Sequence, residues 1–307
     1  MTRFAVTGAS GLLGLNLSLL ISNNEEVLGI ANTSPLKGLP FEIQKMDLVS
    51  DNFEDDVLEN YKPDVVIHCA AIANLEACEK NPELAHITNA VVPGEIAYQC
   101  KERGVRFVHI STDAVFDGKI GNYSEKDRTN PLSVYAKTKR AGEENVQNQN
   151  PDAIIARVNF FGWSLSGTRS LGEFFFNNLI AKKTINGFID VNSCPLYVIH
   201  LSDLLINMVK ADLSGIYHLV SSDHMTKYEF GCAIADQFGL DQSLINPISV
   251  TKSNLQAERS LNLTLSTKKL STDLNRSIPT TLDGIKQFFE DYQSGYAQKI
   301  RNYSIEN

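Results

Sequence analysis

Short apolar runs alternate with helical patterns through the first half of the chain. The runs are rich in β-branched side chains, and the segments between them carry apolar residues at helical spacing. Continuous apolar strands separated by helices are typical of a parallel sheet that is covered on both faces. The predicted strands are 4–7, 27–30, 42–46, 64–69, 105–110 and 153–157. The predicted helices of this half are 12–21, 82–103 and 134–147.

The pattern changes after Asn159. The segments that follow are more irregular and more aromatic, with a run of three phenylalanines at 174–176. Helices are predicted there near Leu201, over 227–238 and over 282–292. The second half of the chain therefore has a different organisation from the first.

A glycine-rich loop joins the first predicted strand to the first predicted helix. Residues 7–14 read TGASGLLG, with glycines three residues apart. Gly8 permits a tight turn, Gly11 lets the backbone approach a pyrophosphate, and Gly14 lets the helix pack on the strand. The free N–H groups at the start of a helix attract phosphates. At this strand–helix junction the pattern predicts a nucleotide site.

The length and the change of pattern divide the chain into two parts. At 307 residues it is about two typical domains long. We expect a dinucleotide-binding core over 1–158, to which a segment near 195–212 returns, and a mainly substrate-binding part over 159–307. The expected fold class is α/β, a doubly wound parallel sheet with a smaller C-terminal part.

Composition excludes several other classes of protein. Hydrophobic residues make up 43% and charged residues 21% of the chain, as in soluble globular proteins. The net charge of −8 argues against a nucleic-acid surface, and no apolar run is long enough to span a membrane. Five cysteines without a CxxC pair favour reduced, cytoplasmic thiols, and six histidines show no metal spacing. We interpret His68 and His109, inside strands, as satisfied core residues.

The end of the second predicted strand bears on the choice of nicotinamide cofactor. NAD sites usually carry Asp or Glu there, on the ribose 2′-hydroxyl, but residues 30–37 contain no carboxylate. Thr33 and Ser34 offer hydroxyls, and Lys37 a charge, to a 2′-phosphate. The sequence therefore favours NADP(H), with NAD(H) as the alternative.

A tyrosine and a lysine share one face of the third predicted helix. Tyr135 and Lys139 are four residues apart, whereas Lys137 points elsewhere. Because an ammonium favours phenolate, we expect Lys139 to lower the pKa of Tyr135 and make it an acid or base usable near neutral pH. The predicted strand before this helix leads into Ser111 and Thr112, and a hydroxyl there would hydrogen-bond the same substrate oxygen as Tyr135.

Together and in this order, these motifs resemble the extended short-chain dehydrogenase/reductases, and within them the dTDP-4-dehydrorhamnose reductase-like group of sugar-nucleotide enzymes. The matching segments are 7–14, 68–71, 111–118 and the Tyr135/Lys139 pair, and the likeness spans residues 1–240. It implies a Rossmann fold and NAD(P)H-dependent reduction of a nucleotide-diphospho-4-keto-6-deoxy sugar. That reaction would serve the synthesis of cell-surface polysaccharide precursors.

The resemblance also implies particular site residues. The catalytic trio would be Thr112, Tyr135 and Lys139. The cofactor-binding residues would be Gly8, Ser10, Gly11, Leu12, Gly14, Thr33, Asp47, Leu48, Ala70, Ala71, Tyr135 and Lys139. The residues on the sugar nucleotide would be Thr112, Asp113 and Asn159, with Asn89 as a structural residue nearby.

Two departures from the family pattern concern the substrate. Ala114 stands where an aromatic residue is common, and Cys194-Pro195 stands where a basic or hydroxyl residue is common. Both positions would face or flank the substrate, so the identity of the sugar stays open.

Other functions on the same scaffold also stay open. One is a sugar-nucleotide epimerase, and another is a non-catalytic NADP-binding regulatory subunit like the methionine adenosyltransferase β subunit. Dehydration is disfavoured because no Glu follows Asp113. The expected partner is a nucleotide-sugar substrate, with neither nucleic acid nor membrane. Helices at the sheet edge often pair in this superfamily, which suggests a homodimer.

Overall fold

The computed structural model describes residues 1–32, 36–252 and 260–304. Its strands are β1 Arg3–Thr7, β2 Glu26–Ala31, β3 Glu42–Lys45, β4 Val65–His68, β5 Arg106–Thr112, β6 Ile154–Val158, β7 Phe160–Phe161, β8 Ile185–Phe188, β9 Asn192–Ser193, β10 Leu196–Tyr197, β11 Gly215–Leu219, β12 Met225–Thr226, β13 Ile245–Ile248 and β14 Asn262–Leu263. Its α-helices are α1 Leu12–Ile21, α2 Leu75–Lys80, α3 Pro82–His86, α4 Val92–Glu102, α5 Val134–Gln149, α6 Leu171–Ile180, α7 Val198–Lys210, α8 Lys227–Phe238, α9 Lys268–Asp273, α10 Thr281–Gln293 and α11 Tyr296–Arg301.

Within the described residues, one seven-stranded sheet organises the molecule in the order β11–β6–β5–β4–β1–β2–β3. Every neighbouring pair of its strands is parallel. Successive residues of β1 face opposite sides, since Phe4 and Val6 pack in the cluster that includes α1 and α7, and Ala5 packs in the cluster that includes α4. The predicted α/β class and doubly wound parallel sheet are confirmed.

The edge strand β11 comes from beyond the segment expected to return to the sheet. Residues 198–210 form the helix α7, which packs on α1, and β11 follows it to pair with β6. A parallel strand needs a crossover helix to bring the chain back to the same edge. The segment near 195–212 is therefore mainly the crossover helix, and the strand lies just after it.

The helix predicted over 82–103 is divided into α3, a π-helical turn at Ile87–Val91, and α4. Pro93 lies just after this turn and has no N–H to donate to the preceding turn. Within this turn, the carbonyl O of Ala90 accepts a hydrogen bond from the Asn145 side chain of α5 at 2.9 Å. The periodic pattern could not show this interruption because the apolar spacing continues through it.

Aromatic residues of the second half pack in the same hydrophobic cluster as β1, α1 and α7. Trp163 is fully buried and stacks on Phe288 with ring centroids 3.8 Å apart. The carbonyl O of Trp163 accepts a hydrogen bond from Asn16 Nδ2 at 3.0 Å, so this core is attached to α1. No helix in the described ranges has both the length and the apolar character that crossing a bilayer requires.

Candidate active site

The glycine loop turns directly over the end of β4. Gly8 has a φ of +68°, and a Cβ there would lie 2.8 Å from the backbone N of Ala70. A Cβ on Gly14 would lie 2.2 Å from the carbonyl O of Gly8. Gly8 therefore makes the turn, and Gly14 allows α1 to pack against it. Gly11 is the N-cap of α1 and leaves the first N–H groups without a side-chain cap.

A cleft of about 440 Å³ opens beside this loop, at the carboxyl ends of β1, β2 and β4. We call it the glycine-loop cleft. The predicted cofactor residues that line it are Gly8, Ser10, Gly11, Asp47, Leu48, Ala70 and Ala71. Leu12 and Gly14 are not among its lining residues, since Leu12 packs against the core and Gly14 packs on the loop.

The segment that favours NADP(H) is only partly described. Thr33 and Ser34 lie outside the described residues. Lys37 is held by its backbone, because its N–H donates to the carbonyl O of Tyr303 at 2.8 Å. Asn32 lines the glycine-loop cleft and Lys37 does not. The preference for NADP(H) stays a prediction.

Thr112, Tyr135 and Lys139 come together where β5 approaches α5. Thr112 is the last residue of β5, Tyr135 lies in the first turn of α5, and Lys139 lies one turn later. The Ser133 hydroxyl accepts a hydrogen bond from a backbone N–H of the first turn at 3.2 Å, which fixes where the helix begins. Thr112 and Tyr135 both line the same cleft. Lys139 is 2% exposed, whereas Lys137 faces solvent.

Burial controls the proton affinity of this pair. It raises the pKa of Tyr135 to about 12, although the nearby Thr112 hydroxyl lowers it. Burial also lowers the pKa of Lys139 to about 8. The expected lowering of the Tyr135 pKa is therefore wrong, because loss of solvent around the phenol outweighs its favourable contacts. The phenol stays protonated at neutral pH, which is the form that donates a proton.

The Lys139 ammonium has two buried partners on β5. It donates to the carbonyl O of Ile110 at 2.7 Å and lies 3.3 Å from Nε2 of His109. An ammonium only donates, so His109 accepts at Nε2 and carries its proton on Nδ1. Burial and the charge of Lys139 hold the pKa of His109 well below its ordinary value. The predicted burial of His109 is confirmed, but its Nδ1 has no partner among the described residues.

A second neutral histidine, His68, lies between His109 and the glycine loop. The ring of His68 stacks on that of His109 with centroids 5.7 Å apart, and its Nδ1 lies 2.9 Å from Thr7 Oγ1. Thr7 Oγ1 accepts from the N–H of Ala70 at 3.2 Å, which leaves its own proton for His68. Burial lowers the pKa of His68 to about 3. Two neutral imidazoles thus lie between Lys139 and the start of the glycine loop.

Asp113 and Asn159, predicted to contact substrate, lie beside each other after β5 and β6. Asn159 Nδ2 donates to Asp113 Oδ2 at 2.5 Å, and Thr112 Oγ1 donates to Asp113 Oδ1 at 3.1 Å. Asp113 is 5% exposed. Burial raises its pKa to about 6, although the two hydrogen bonds and the charge of Lys227 lower it. Asp113 therefore titrates just below neutral pH.

These residues line a second cleft of about 300 Å³, which we call the substrate-side cleft. Thr112, Asp113, Tyr135 and Asn159 form one side of it. The lining residues that follow Asn159 in the chain are Leu171, Val191, Asn192, Ser193, Lys227, Ser260 and Leu263. Ala114 also lines this cleft, whereas Cys194 is buried and does not.

A bridging cavity of about 250 Å³ lies between the two clefts. It shares Cys69 and Ala71 with the glycine-loop cleft. With the substrate-side cleft it shares Thr112, Asp113, Tyr135 and Asn159. Lys139 lines the bridging cavity itself. The three spaces therefore adjoin one another, with Tyr135 and Lys139 lining the middle one.

Asn89 lies behind the site and holds its walls together. It is buried, and its Oδ1 accepts from the N–H of Ile72 at 2.9 Å. Its Nδ2 donates to the carbonyl O of Ile72 and to Thr138 Oγ1, each at 3.1 Å. The loop after β4, which lines the glycine-loop cleft, is thus fixed to α5.

Two positively charged side chains that line the clefts are not predicted from the sequence. Arg169 lines the glycine-loop cleft and Lys227 the substrate-side cleft. Each flanks the first residue of a capping box, Ser170 with Glu173 before α6 and Thr226 with Glu229 before α8. The S/T-x-x-E pattern of a capping box is visible in a sequence. It would have located both helix starts, but not the clefts that they face.

Comparison with known proteins identifies the family. The chain matches the family described as RmlD substrate binding domain over residues 2–294, and it belongs to this family. The probable low-salt glycan biosynthesis reductase Agl14 of Haloferax volcanii is 32% identical over 298 residues, covering 94% of this chain and 99% of that protein. Methionine adenosyltransferase 2 subunit beta of Danio rerio is 31% identical over 288 residues, covering 91% of this chain and 87% of that protein.

A solved structure agrees with this membership. The crystal structure of a hypothetical dTDP-4-dehydrorhamnose reductase from Sulfolobus tokodaii superimposes with a TM-score of 0.81 at 29% identity. The match covers 92% of this chain and 99% of that one. The resemblance to dTDP-4-dehydrorhamnose reductase-like proteins is confirmed. Both a probable glycan biosynthesis reductase and a methionine adenosyltransferase subunit are among the relatives of this chain.

Proposed function

We propose that the protein is an NAD(P)H-dependent reductase of a nucleotide-diphospho-4-keto-6-deoxy sugar. The observation that carries this proposal is the bridging cavity, which connects the glycine-loop cleft with the substrate-side cleft at Tyr135 and Lys139. A hydride donor and a ketone must meet beside a proton donor, and this cavity offers such a place. Reductases among the relatives support the same reaction class.

The residues of the glycine-loop cleft fit a dinucleotide. Side chains at Gly8 and Gly14 would clash with backbone atoms, so the loop keeps its tight turn and uncovered N–H groups. Ala70 and Ala71 have small side chains along the way to the bridging cavity. When bound, a reduced nicotinamide dinucleotide supplies the hydride. We retain NADP(H) as the proposed cofactor, and we propose that residues 1–158 hold most of it.

Three side chains would stabilise the negative charge that develops on the substrate oxygen. Tyr135 would donate its proton to the carbonyl oxygen, because its raised pKa keeps the phenol protonated. The Thr112 hydroxyl, which donates to Asp113 in this structure, would donate to the same substrate oxygen instead. Lys139 would hold a ribose of the cofactor from the bridging cavity. Its positive charge would also favour the phenolate that Tyr135 becomes after proton transfer.

The substrate-side cleft offers polar groups to a sugar nucleotide. Asp113 and Asn159 form a hydrogen-bonded pair at its inner end and would bind sugar hydroxyls. Lys227 brings a positive charge from the smaller part, and a diphosphate is the complementary group on the proposed substrate. We propose that residues 159–307 mainly bind this substrate.

Isotope transfer tests the proposal directly. The protein is incubated with reduced dinucleotide deuterated at nicotinamide C4 and, in separate reactions, with a panel of 4-keto-6-deoxy sugar nucleotides. We expect one deuterium at the former carbonyl carbon of a product, and none with Tyr135→Phe over the same period. Binding of dinucleotide without product from any 4-keto sugar would overturn the proposal.

A regulatory subunit is a second candidate function. The observation that favours it is the identity to the methionine adenosyltransferase subunit, which is nearly as high as to the glycan reductase. A regulatory subunit would bind dinucleotide but show no sugar-dependent oxidation of it. The same isotope experiment, with dinucleotide binding measured beside it, therefore separates the two functions.

A further inference from the structure

The glycine-loop cleft receives a cation from the second half of the chain. Of the described residues that line the cleft, Asp47 and Arg169 are the charged ones. One oxygen of Asp47 already accepts from the N–H of Val49 at 3.0 Å. Arg169 is exposed, and it lies in the connection between β7 and α6. It is thus available to a ligand in the cleft.

A buried carboxylate fixes the backbone of Arg169. Glu173 is fully buried and accepts from the N–H and the hydroxyl of Ser164, each at 2.7 Å. The same carboxylate accepts from the N–H of Arg169 at 3.0 Å and from that of Ser170 at 3.2 Å. Charge-assisted hydrogen bonds of this kind are stronger than neutral ones. The buried carboxylate of Glu173 therefore fixes the backbone position of Arg169.

The same connection lies against the start of α1. Ser170, next to the arginine, donates from its hydroxyl to the carbonyl O of Gly162 at 2.6 Å. A Cβ on Gly162 would lie 3.6 Å from Cδ1 of Leu12, the first residue of α1. The carbonyl O of Trp163 accepts from Asn16, one turn later. These contacts place the arginine beside the N-terminal end of α1, where its uncovered N–H groups begin.

We propose that Arg169 pairs with the diphosphate of the bound dinucleotide, beside the start of α1. The inference rests on the proposed function, since it assumes that a dinucleotide occupies this cleft. The start of α1 supplies only about half an elementary charge, whereas a dinucleotide diphosphate carries two negative charges. A guanidinium binds two phosphate oxygens at once and would balance most of the remaining charge. The smaller part would then hold cofactor as well as substrate.

Two variants with the same change of charge test this assignment. Arg169→Ala removes the cation from the cleft, and Lys183→Ala removes an exposed cation just beyond the other end of α6. Dissociation constants for NADPH and NADH are measured by titration of the full-length protein, with thermal unfolding as a check of folding. We expect Arg169→Ala to weaken both dinucleotides by the same factor, about tenfold, and Lys183→Ala to change neither. Arg169→Lys should lose less dinucleotide affinity than Arg169→Ala, because it keeps the positive charge.

Each other outcome would overturn the assignment. Loss of NADPH affinity alone would place Arg169 at the 2′-phosphate, because NADH lacks that group. Unchanged affinity for both dinucleotides in folded Arg169→Ala would remove it from cofactor binding while leaving the proposed function intact. If the wild-type protein bound neither dinucleotide, the proposed function would fail together with the inference.

Discussion

The Nζ atom of Lys139 lies 3.3 Å from Nε2 of His109, and both side chains are buried. The lysine donates and the neutral histidine accepts, so the ammonium is held in one position beneath the bridging cavity. Burial nevertheless lowers the pKa of Lys139 to about 8. The charge that would hold the cofactor ribose is therefore present at neutral pH and lost in mildly alkaline solution.

This titration predicts the pH dependence of dinucleotide affinity. Lys139 is charged below pH 8 and neutral above it, so affinity should fall as the pH rises from 7 to 9, by about tenfold. Its buried neighbours do not titrate in this window, because burial raises the pKa of Cys69 to about 12 and lowers that of His68 to about 3. Dissociation constants for NADPH measured across this range check the prediction.

Two variants identify the group responsible. Lys139→Met should bind more weakly at pH 7 and show little dependence on pH between 7 and 9. Lys137→Ala, which removes an exposed lysine of the same helix, should keep the wild-type profile. An identical alkaline loss of affinity in Lys139→Met would assign the titration to another group.

Asp113 predicts a second effect of pH, on the stability of the fold. Its pKa in the folded state is about 6 because of burial, above the ordinary value of 3.8. The folded protein therefore binds the proton more tightly, and it loses stability as the pH rises from about 4 to 6. Asp113→Asn mimics the neutral acid. Its free energy of unfolding at pH 8 should exceed the wild-type value by up to about 3 kcal/mol, with a gain that vanishes near pH 4.

Chemical denaturation at several pH values measures this difference. Asp236→Asn removes the same charge from an exposed position of α8 and should leave the profile unchanged. A gain for Asp113→Asn that is the same at pH 4 and pH 8 would show that packing, and not ionisation, is responsible.

Lys227 is predicted to act on the substrate and not on the cofactor. It lines the substrate-side cleft, where a diphosphate would need a cation. Lys227→Ala should raise KM for the sugar nucleotide by about tenfold and leave the dissociation constant of NADPH unchanged. Steady-state kinetics and cofactor titration on the same preparation test both parts. If Lys227→Ala also weakened NADPH binding, the assignment of this lysine to the substrate alone would be wrong.

The sequence predicts the parts of the fold and site that depend on local pattern. Apolar runs show the strands from β1 to β6, and the four-residue spacing of Tyr135 and Lys139 shows their shared helix face. The strand β11 escapes this pattern because it begins at Gly215, with φ of +89°, and carries His218 in its interior. Its place in the sheet is set by pairing with β6, more than fifty residues earlier.

The remaining features depend on tertiary contacts. Arg169 reaches the glycine-loop cleft only because its connection folds against α1, from about 150 residues away in the chain. The wrong expectation for the pKa of Tyr135 has the same origin, since burial of the phenol is a property of the assembled site. The i and i+4 spacing shows that Lys139 is near, but not how much solvent surrounds either group.

The measurement that tests the central claim most directly is single-turnover oxidation of bound NADPH, followed by absorbance, with wild type and Tyr135→Phe. The variant keeps the ring and removes the proton donor, so its affinity for NADPH should survive. With a reducible 4-keto sugar nucleotide, the wild type should oxidise the cofactor, and the variant should be slower by about 10² to 10⁴. Equal rates in the two proteins, or no oxidation by a wild type saturated with NADPH across the panel of 4-keto sugars, would contradict the account.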